Sequence, residues 1–355
     1  MSRDIFDDAP ARERNFASDN NAGICPEVAE ILAECNHGHA PGYGDDVWTQ
    51  RACDKIRELL ETDCEVFFVF NGTAANSLIL ATYCQSYHGI LCHDLAHTQT
   101  DECGAPEFYT GGSKVIPLTG EKGRLSAECI EEAALMRDDL HFPKVRMVTL
   151  TQATELGTVY APDDLRSIGE ACRRRDLKLH LDGARLANAV ATLEVSPGQL
   201  LQEAGVDALS FGATKNGAAV GDAVVFFDKE AAREFEYRCK QAGQLASKMR
   251  YLAAPWVALL ENDLWLRNAR HANAGAERLH AKVTEISQVR ILAPCEANSV
   301  FVKLSEASRQ ALYGKGWRFY VLLGKDGYRL MCSWDTNDED VDEFVADLSE
   351  ALEAE

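Results

Sequence analysis

A lysine at the end of one apolar segment and an aspartate at the end of another are the residues best suited to chemistry in this chain. Residues 208–217 (ALSFGATKNG) form a short apolar run that leads through small residues to Lys215. Residues 178–185 (KLHLDGAR) contain a second apolar run that ends at Asp182. Pyridoxal 5′-phosphate (PLP) requires such a pair, because a lysine amine forms a Schiff base with its aldehyde and a carboxylate keeps its pyridine nitrogen protonated. The two segments therefore predict a PLP-dependent enzyme that acts on amino acids.

Both residues also have an ordinary structural interpretation. Burial of a charged lysine is costly and lowers its pKa, which favours Schiff-base chemistry at Lys215; the alternative is a surface lysine in a turn. A buried carboxylate needs a cationic partner, so Asp182 pairs either with a pyridinium or with Arg185. Arg185 is also a candidate for contact with the cofactor ring or a substrate carboxylate, because a guanidinium binds a carboxylate through two parallel hydrogen bonds.

An anion site is predicted at residues 71–76 (NGTAAN), which follow a strand and begin a helix. Free backbone amides and the positive end of the helix dipole at Gly72 and Thr73 suit the cofactor phosphate, and the Thr73 hydroxyl adds a donor. The alternative is an ordinary turn in which Thr73 caps the helix. Thr214, beside the lysine, is a further candidate phosphate ligand.

Three more residues are candidates on chemical grounds. His97 lies in a polar loop, where an imidazole is suited to stacking on a pyridine ring and to moving protons, and His93 is its competitor. Arg329 lies in a late strand and is a candidate for binding a substrate carboxylate, although an exposed strand arginine is the simpler interpretation.

Composition excludes several classes of protein. The 355 residues carry a net charge of −20, which argues against binding to nucleic acids or anionic membranes. Twelve cysteines show no CxxC pair and no spacing typical of zinc ligands, so we expect reduced thiols and no metal site. No apolar signal core and no run of transmembrane length is present, which predicts a cytoplasmic protein.

Strands and helices alternate over most of the chain. Strands are predicted at residues 65–70, 90–92, 145–150, 178–181, 208–211 and 222–227, and helices at 26–35, 49–61, from near 73, and at 162–175. This alternation predicts an α/β fold with a mostly parallel sheet and helices on both faces. Ligands in such sheets bind beyond the carboxyl ends of the strands, where Gly72, Asp182 and Lys215 all fall.

The pattern changes after about residue 230. A largely helical stretch at 231–287, interrupted near Pro255, precedes strands at 299–304, 317–322 and 328–332 and helices at 306–313 and from 338. We therefore expect an N-terminal arm at residues 1–15, a large PLP-binding domain at 16–250 and a small α+β C-terminal domain at 251–355.

The order of the motifs resembles the low-specificity L-threonine aldolases, in particular the bacterial branch that includes phenylserine aldolases. The matching segments are residues 16–20 (FASDN), 42–46 (GYGDD), 71–76 (NGTAAN), 100–106 (TDECGAP), 180–185 (HLDGAR), 211–217 (FGATKNG), 237–244 (YRCKQAGQ) and 331–336 (MCSWDT). The resemblance covers nearly the whole chain, and the combination of motifs is specific.

The resemblance implies the aspartate-aminotransferase-like fold type I of PLP enzymes, an active site built on a dimer, and often a tetramer. It implies the Schiff base on Lys215, the pyridinium partner at Asp182 and the stacking imidazole at His97. The other implied contacts are Ser18, Arg185 and Arg329 to the substrate carboxylate, Gly72 and Thr73 to the phosphate, and Arg250 to the phosphate in a neighbouring subunit. Tyr43 and Asp46 match a loop near the active site.

The implied reaction is the retro-aldol cleavage of L-threonine, L-allo-threonine and related β-hydroxy-α-amino acids to glycine and an aldehyde. A base, for which His97 acting through water is a candidate, takes the β-hydroxyl proton. An L-phenylserine aldolase, a β-eliminating lyase and an aminotransferase are alternatives, because they use the same lysine and aspartate. A Rossmann-type dehydrogenase is disfavoured, since no GxGxxG follows the first strand.

One segment departs from the pattern of the resembled family. Many members carry a second active-site histidine after the central strand, and Thr154 stands at that position in the segment 151–155 (TQATE). Thr154 is therefore a candidate for substrate contact, with Glu155 or a bound water as the alternative contact to the substrate hydroxyl. The sequence leaves the erythro/threo preference open.

Overall fold

The computed structural model describes residues 12–137 and 139–355 and contains two β-sheets. The strands of the larger sheet are β1 (Glu65–Val69), β2 (His88–His93), β3 (Lys114–Leu118), β4 (Lys144–Thr151), β5 (Lys178–Gly183), β6 (Ala208–Phe211) and β7 (Asp222–Phe226). Their order across the sheet is β1-β7-β6-β5-β4-β2-β3, and β7 alone runs antiparallel to its neighbours. The predicted α/β fold with a mostly parallel sheet is therefore confirmed.

Helices in this part of the chain connect the strands and cover the sheet. They are α1 (Pro26–Cys35), α2 (Val47–Leu59), α3 (Gly72–Tyr83), α4 (His97–Thr100), α5 (Ala105–Tyr109), α6 (Ala127–Leu135), α7 (Pro162–Arg174), α8 (Leu186–Leu193), α9 (Pro197–Ala204), α10 (Lys229–Ala232), α11 (Phe235–Gln241) and α12 (Arg250–Leu259). Asp46, which matched a loop motif in the sequence, caps α2 by accepting hydrogen bonds from the amides of Trp48 and Thr49.

The two faces of the sheet are covered by different apolar clusters, because successive strand residues point to opposite faces. On β6, Leu209 packs in a cluster with α1, α2, α7 and α12, while Ala208 packs with α3 and α11. Val225 and Val224 of β7 divide in the same way. Helices therefore lie on both faces, and ligand access is left to the edges where the strands end.

A second lobe follows the larger sheet. It contains α13 (Leu264–Thr284), β8 (Arg290–Ile291), β9 (Ser299–Lys303), α14 (Glu306–Gly314), β10 (Tyr320–Leu323), β11 (Gly327–Met331) and α15 (Asp338–Glu353). Its four strands form an antiparallel sheet in the order β10-β11-β9-β8. This small α+β lobe matches the expectation from the sequence.

The start of the described chain packs on this second lobe. The Phe16 amide donates to the carbonyl of Arg318, and the Phe16 carbonyl accepts from the amide of Met331. The Phe16 ring stacks on Trp317 and meets Phe344 edge-on, so it lies in the core of the small lobe. Most of the predicted N-terminal arm, residues 1–11, lies outside the described residues.

The predicted helix interruption at Pro255 is wrong. Pro255 lies inside α12, and the breaks fall at residues 242–249 and 260–263 instead. Pro255 is the sixth of the ten residues of α12, where it removes one amide donor, and the burial of every residue from Leu252 to Leu259 offsets that loss. The predicted domain boundary at residue 250 stays a prediction, and the packing favours a later one, because Trp256, Trp265 and Ala269 all lie in the core of the larger lobe.

No helix in the described ranges is long and apolar enough to cross a membrane. That finding concerns helices alone.

Removal of the Phe344 ring is expected to destabilise the small lobe and with it the strand that carries Arg329. Phe344 is fully buried and contacts Phe16, Trp317 and Phe319. We expect Phe344→Ala to lower the free energy of unfolding by about 3–5 kcal/mol and Phe344→Leu by less, as measured by urea denaturation. The exposed Glu353→Ala on the same helix should change it by no more than about 0.5 kcal/mol. Equal effects of the phenylalanine and glutamate substitutions would contradict this packing.

Candidate active site

A cavity of about 430 Å³ lies where the carboxyl ends of the parallel strands face the small lobe. Seven of the residues singled out in the sequence line it together: Ser18, Gly72, His97, Asp182, Arg185, Lys215 and Arg329. They come from the N-terminal segment, five places along the large lobe and one strand of the small lobe. Tyr320 and Leu322 of β10 close the side formed by the small lobe.

Lys215 is positioned by the close approach of two strand ends. β6 ends at Phe211, and the chain passes through Gly212 into a short 3-10 turn at Thr214–Asn216. A Cβ at Gly212 would lie 2.7 Å from the carbonyl oxygen of Ala184, so only glycine lets this turn lie against the residue two places after Asp182. Lys215 and Asp182 thereby enter the same cavity.

The Lys215 amine has no hydrogen bond or ion pair within the described residues. Burial, followed by the charge of Arg185, lowers the pKa of Lys215. A lowered pKa leaves more of the amine uncharged at neutral pH, and the uncharged amine is the nucleophilic form. The alternative of a solvated surface lysine does not fit this environment.

Asp182 does not pair with Arg185. Its Oδ1 accepts from the Ala184 amide at 3.0 Å, and its Oδ2 accepts from Asn76 Nδ2 at 2.8 Å. Arg185 instead forms a two-pronged ion pair with the buried Asp19, from Nε at 2.7 Å and Nη2 at 2.9 Å. Asp182 thus presents a carboxylate to the cavity without a protein cation bound to it.

His97 is joined to Asp182 through two buried side chains. His97 Nδ1 lies 2.9 Å from Glu102 Oε1, the same oxygen accepts from Asn76 Nδ2 at 2.8 Å, and Asn76 also donates to Asp182. The hydrogen bond to Glu102 raises the pKa of His97. The competitor His93 uses Nδ1 for the Leu95 amide and Nε2 for the Gly120 carbonyl, and it does not line the cavity.

The helix start at Gly72 has the free donors that an anion requires. Asn71 is the cap of α3, since its side chain accepts from the Ala74 amide at 2.9 Å. The Thr73 hydroxyl is therefore not the cap, contrary to the alternative drawn from the sequence, and stays available with the first amides of the helix.

The hydroxyl of Thr214, a predicted phosphate ligand, donates a hydrogen bond to Asp222. Asp222 begins the antiparallel strand β7, and its Oδ1 accepts from the Thr214 hydroxyl at 3.1 Å and from the Ala213 amide at 3.0 Å. Its other carboxyl oxygen lies near Gly72, at 3.6 Å from where a Cβ would be. Burial raises the pKa of Asp222.

A cationic wall is formed by Arg185 and Arg329. The Arg329 Nε is buried and has no hydrogen-bond partner among the described residues, and Ser18 nearby accepts from the Asn20 amide. Burial and the neighbouring charge of Arg185 lower the pKa of Arg329 to about 10. A buried guanidinium with an unused donor is suited to a carboxylate ligand, so the alternative of an exposed strand arginine does not fit.

Four of the predicted site residues do not line the cavity: Thr73 and Thr214, described above, and Thr154 and Arg250. Thr154 is buried behind the cavity wall, where its hydroxyl contacts the Thr158 hydroxyl at 2.7 Å, and the next residue, Glu155, lines the cavity instead. Arg250 lies at the start of α12, donates to the Gly38 carbonyl at 3.3 Å, and faces a separate surface cavity. The roles of all four residues stay predictions.

Five functional candidates were not assigned from the sequence or were named only as alternatives: Asp19, Asn76, Glu102, Glu155 and Asp222. Asn76 had a usable signal, because it is a polar residue in a helix whose neighbours are small or apolar, and a buried amide needs partners. The contact from Asn76 to Glu102 crosses between separate elements, and sequence spacing carries no information on it.

Comparison with known proteins gives consistent results. The profile of the family described as "Beta-eliminating lyase" matches residues 15–307. Two curated proteins, each described as "Low specificity L-threonine aldolase", are similar over nearly their whole length. The one from Pseudomonas sp. is 54% identical over 97% of this chain and 99% of its own. The one from Pseudomonas aeruginosa is 56% identical over 94% of this chain and 97% of its own.

A solved structure agrees with the sequence comparison. The threonine aldolase of Leishmania major superposes with a TM-score of 0.89 at 28% identity, over 95% of this chain and 99% of that chain. A likeness of this extent covers both lobes, so the arrangement of the cavity between them belongs to a shared fold.

Loss of the Glu102 carboxylate is expected to lower the pKa of His97. The hydrogen bond to Glu102 favours the charged imidazole, and glutamine keeps the size of the side chain while removing the charge. We expect the His97 pKa, measured by NMR titration of the ring protons, to fall in Glu102→Gln and to stay unchanged in the exposed Glu121→Gln. An unchanged His97 pKa in Glu102→Gln would show that the contact does not control the imidazole.

Proposed function

The chain belongs to the beta-eliminating lyase family, and we propose that it is a PLP-dependent aldolase that cleaves L-threonine and L-allo-threonine to glycine and an aldehyde. The family predicted from the order of the motifs is confirmed by the two Pseudomonas relatives. The observation that carries the proposal is the convergence of Lys215, Asp182 and Arg329 in one cavity of a chain that is more than half identical to two enzymes of that name.

The residues of the cavity fit PLP. An amine without a partner, a carboxylate without a bound cation and free amides at a helix start correspond to the aldehyde, the pyridine nitrogen and the phosphate of the cofactor. Lys215, Asp182, and Gly72 with Thr73 would hold these three groups, and His97 would cover the ring. When bound, PLP supplies an aldehyde for attachment to lysine and a protonated ring that accepts the electron pair of the broken carbon–carbon bond.

The protein's part in catalysis is orientation and charge. The unused donor of Arg329, together with Arg185 and Ser18, binds the substrate carboxylate and so fixes which bond of the α-carbon is held for cleavage. Asp182 keeps a negative charge beside the pyridine nitrogen, and the Asn76 hydrogen bond holds that carboxylate in place. Tyr320 and Leu322 line the cavity on the side of the small lobe.

Among the alternatives considered, the two Pseudomonas relatives favour the aldolase over a β-eliminating lyase or an aminotransferase. The direct test is aldehyde release from L-threonine, L-allo-threonine and L-phenylserine by the purified protein with added PLP. Aldehyde with an equimolar amount of glycine supports the proposal, and the ranking of rates decides between threonine and phenylserine. Ammonia with a keto acid in place of aldehyde and glycine would overturn it.

We also propose that the enzyme acts as a homo-oligomer based on a dimer, and as a tetramer when dimers associate. The supporting observation is that Arg250 lines a surface cavity separate from the one that contains Lys215, together with Gly38 and Ser247. In such a dimer Arg250 would reach the phosphate in the neighbouring subunit. A cytoplasmic location is proposed on the ground that all twelve cysteines are free thiols.

Replacement of Lys215 is expected to abolish covalent attachment of the cofactor. Lys215→Ala removes the attacking amine, so turnover of L-threonine should fall by about 10³-fold or more. Borohydride reduction followed by mass analysis should find the cofactor on the Lys215 peptide of the wild type and on no peptide of the variant. The exposed Lys303→Ala serves as the matched control. Lys303→Ala should carry the cofactor on the Lys215 peptide as the wild type does, whereas near-normal turnover of Lys215→Ala, or cofactor on another of its peptides, would sink the assignment.

Neutralisation of Asp182 is expected to separate cofactor binding from catalysis. Asp182→Asn keeps the size of the side chain but removes the charge beside the pyridine nitrogen, so kcat should fall by about 10²-fold or more. Cofactor content, measured after gel filtration, should stay close to that of the wild type because the phosphate and aldehyde contacts remain. An unchanged kcat would mean that Asp182 has only a structural role.

A further inference from the structure

Glu155 lines the cavity and has no role in the catalysis proposed above. It follows β4 and lines the same cavity as Lys215 and Arg185. One carboxyl oxygen, Oε1, accepts from the His97 amide at 2.9 Å and from the Thr151 hydroxyl at 2.9 Å. The other oxygen, Oε2, is buried and has no hydrogen-bond partner among the described residues.

The unpartnered Oε2 of Glu155 favours a ligand that donates a hydrogen bond to it. Buried polar atoms in folded proteins almost always have a partner, and leaving one without costs about 1–3 kcal/mol. Because two donors fix Oε1, the side chain has little freedom to turn Oε2 toward another protein group. A hydroxyl on a bound substrate is a donor of the kind that the site lacks.

The other candidates for contact with that hydroxyl are engaged elsewhere. His97 uses its Nδ1 for the hydrogen bond to Glu102, which raises the pKa of the imidazole. The Thr154 hydroxyl is bonded to Thr158 behind the wall of the cavity. Two buried acceptors of the cavity lining lack a partner among the described residues, Glu155 Oε2 and the Asn76 amide oxygen, and of these only the carboxylate is basic enough to take a proton.

We propose that Glu155 is the catalytic residue that takes the proton of the substrate β-hydroxyl during cleavage of the carbon–carbon bond. This assignment rests on the proposed aldolase function and adds a residue to it. The O–H bond breaks and its proton moves to Oε2, while the oxygen forms the carbonyl of the departing aldehyde. The electron pair of the Cα–Cβ bond stays with Cα, where a proton then completes glycine.

The surroundings of Glu155 suit this role. Burial raises the pKa of Glu155, and the nearby charge of Asp182 acts in the same direction. A carboxylate whose pKa is raised is a stronger base than an ordinary surface glutamate. The amide of His97 and the Thr151 hydroxyl supply the two hydrogen bonds that hold it in this orientation.

The test compares a reaction that needs the hydroxyl with one that does not. Glu155→Gln keeps the shape of the side chain but cannot take up the proton, so we expect kcat for L-threonine cleavage to fall by about 10²–10⁴-fold. Glycine has no β-hydroxyl, so its dissociation constant by calorimetry and the exchange of its α-proton in D₂O by NMR should stay within about threefold of wild type. The matched control is Glu121→Gln, the same change at an exposed site outside the cavity.

Three outcomes are distinguishable. A selective loss of cleavage with intact glycine binding and exchange supports the assignment. Cleavage by Glu155→Gln within threefold of wild type overturns it, and so does an equal loss of cleavage and glycine exchange, which would mark Glu155 as structural. If the wild type itself releases no aldehyde from any β-hydroxy amino acid while it still exchanges the glycine proton, the proposed function fails.

Discussion

The close pairing of β5 with β6 is the constraint on which the rest of the site depends. The two strands run parallel, with Asp182 opposite Ser210 and Gly183 opposite Phe211, and the Gly212 amide continues the pairing to the Gly183 carbonyl at 3.1 Å. Because Gly212 has no side chain, the turn that carries Lys215 lies directly against the turn that follows Asp182. A lysine and an aspartate that are far apart in sequence therefore face one cavity.

Electrostatics explain how an acidic protein builds a site for anions. The chain carries a net charge of −20, yet Lys215, Arg185 and Arg329 all line the cavity. Asp19 holds Arg185 in place by a two-pronged ion pair and offsets part of the positive charge, and Arg329 keeps an unused donor. The carboxyl groups of Asp182 and Glu155 in the lining, and of Glu102 bonded to His97, are each fixed by specific donors, which is the condition for burying them at tolerable cost. The cavity therefore contains both cations that suit a carboxylate and acidic groups that suit the amine and hydroxyl chemistry.

The sequence predicted which helices and strands form better than it predicted where they end. It also predicted which residues belong to the site better than it predicted which residues they contact. The strand that contains Asp182 and the strand that precedes Lys215 agree with the sequence prediction, because short apolar runs followed by glycine are strong signals. The helix break at Pro255 was wrong, since burial along α12 compensates for one missing amide donor. Arg185 pairs with Asp19 rather than with Asp182. The two residues are 166 positions apart, so neither periodicity nor spacing in the sequence predicts the contact.

The sequence by itself determined which reactive groups are present. They are a lysine, an aspartate and a glycine-containing helix start that follow strands, in an order that matches one enzyme family. These features are local, because strand, turn and cap propensities act over a few neighbouring residues. Tertiary structure alone decided which side chains share the cavity, that Glu155 and not Thr154 lines it, and that Asn76 and Glu102 join His97 to Asp182. Those choices depend on distances between elements that are remote in sequence, and such distances are set by how the sheet and the two lobes pack.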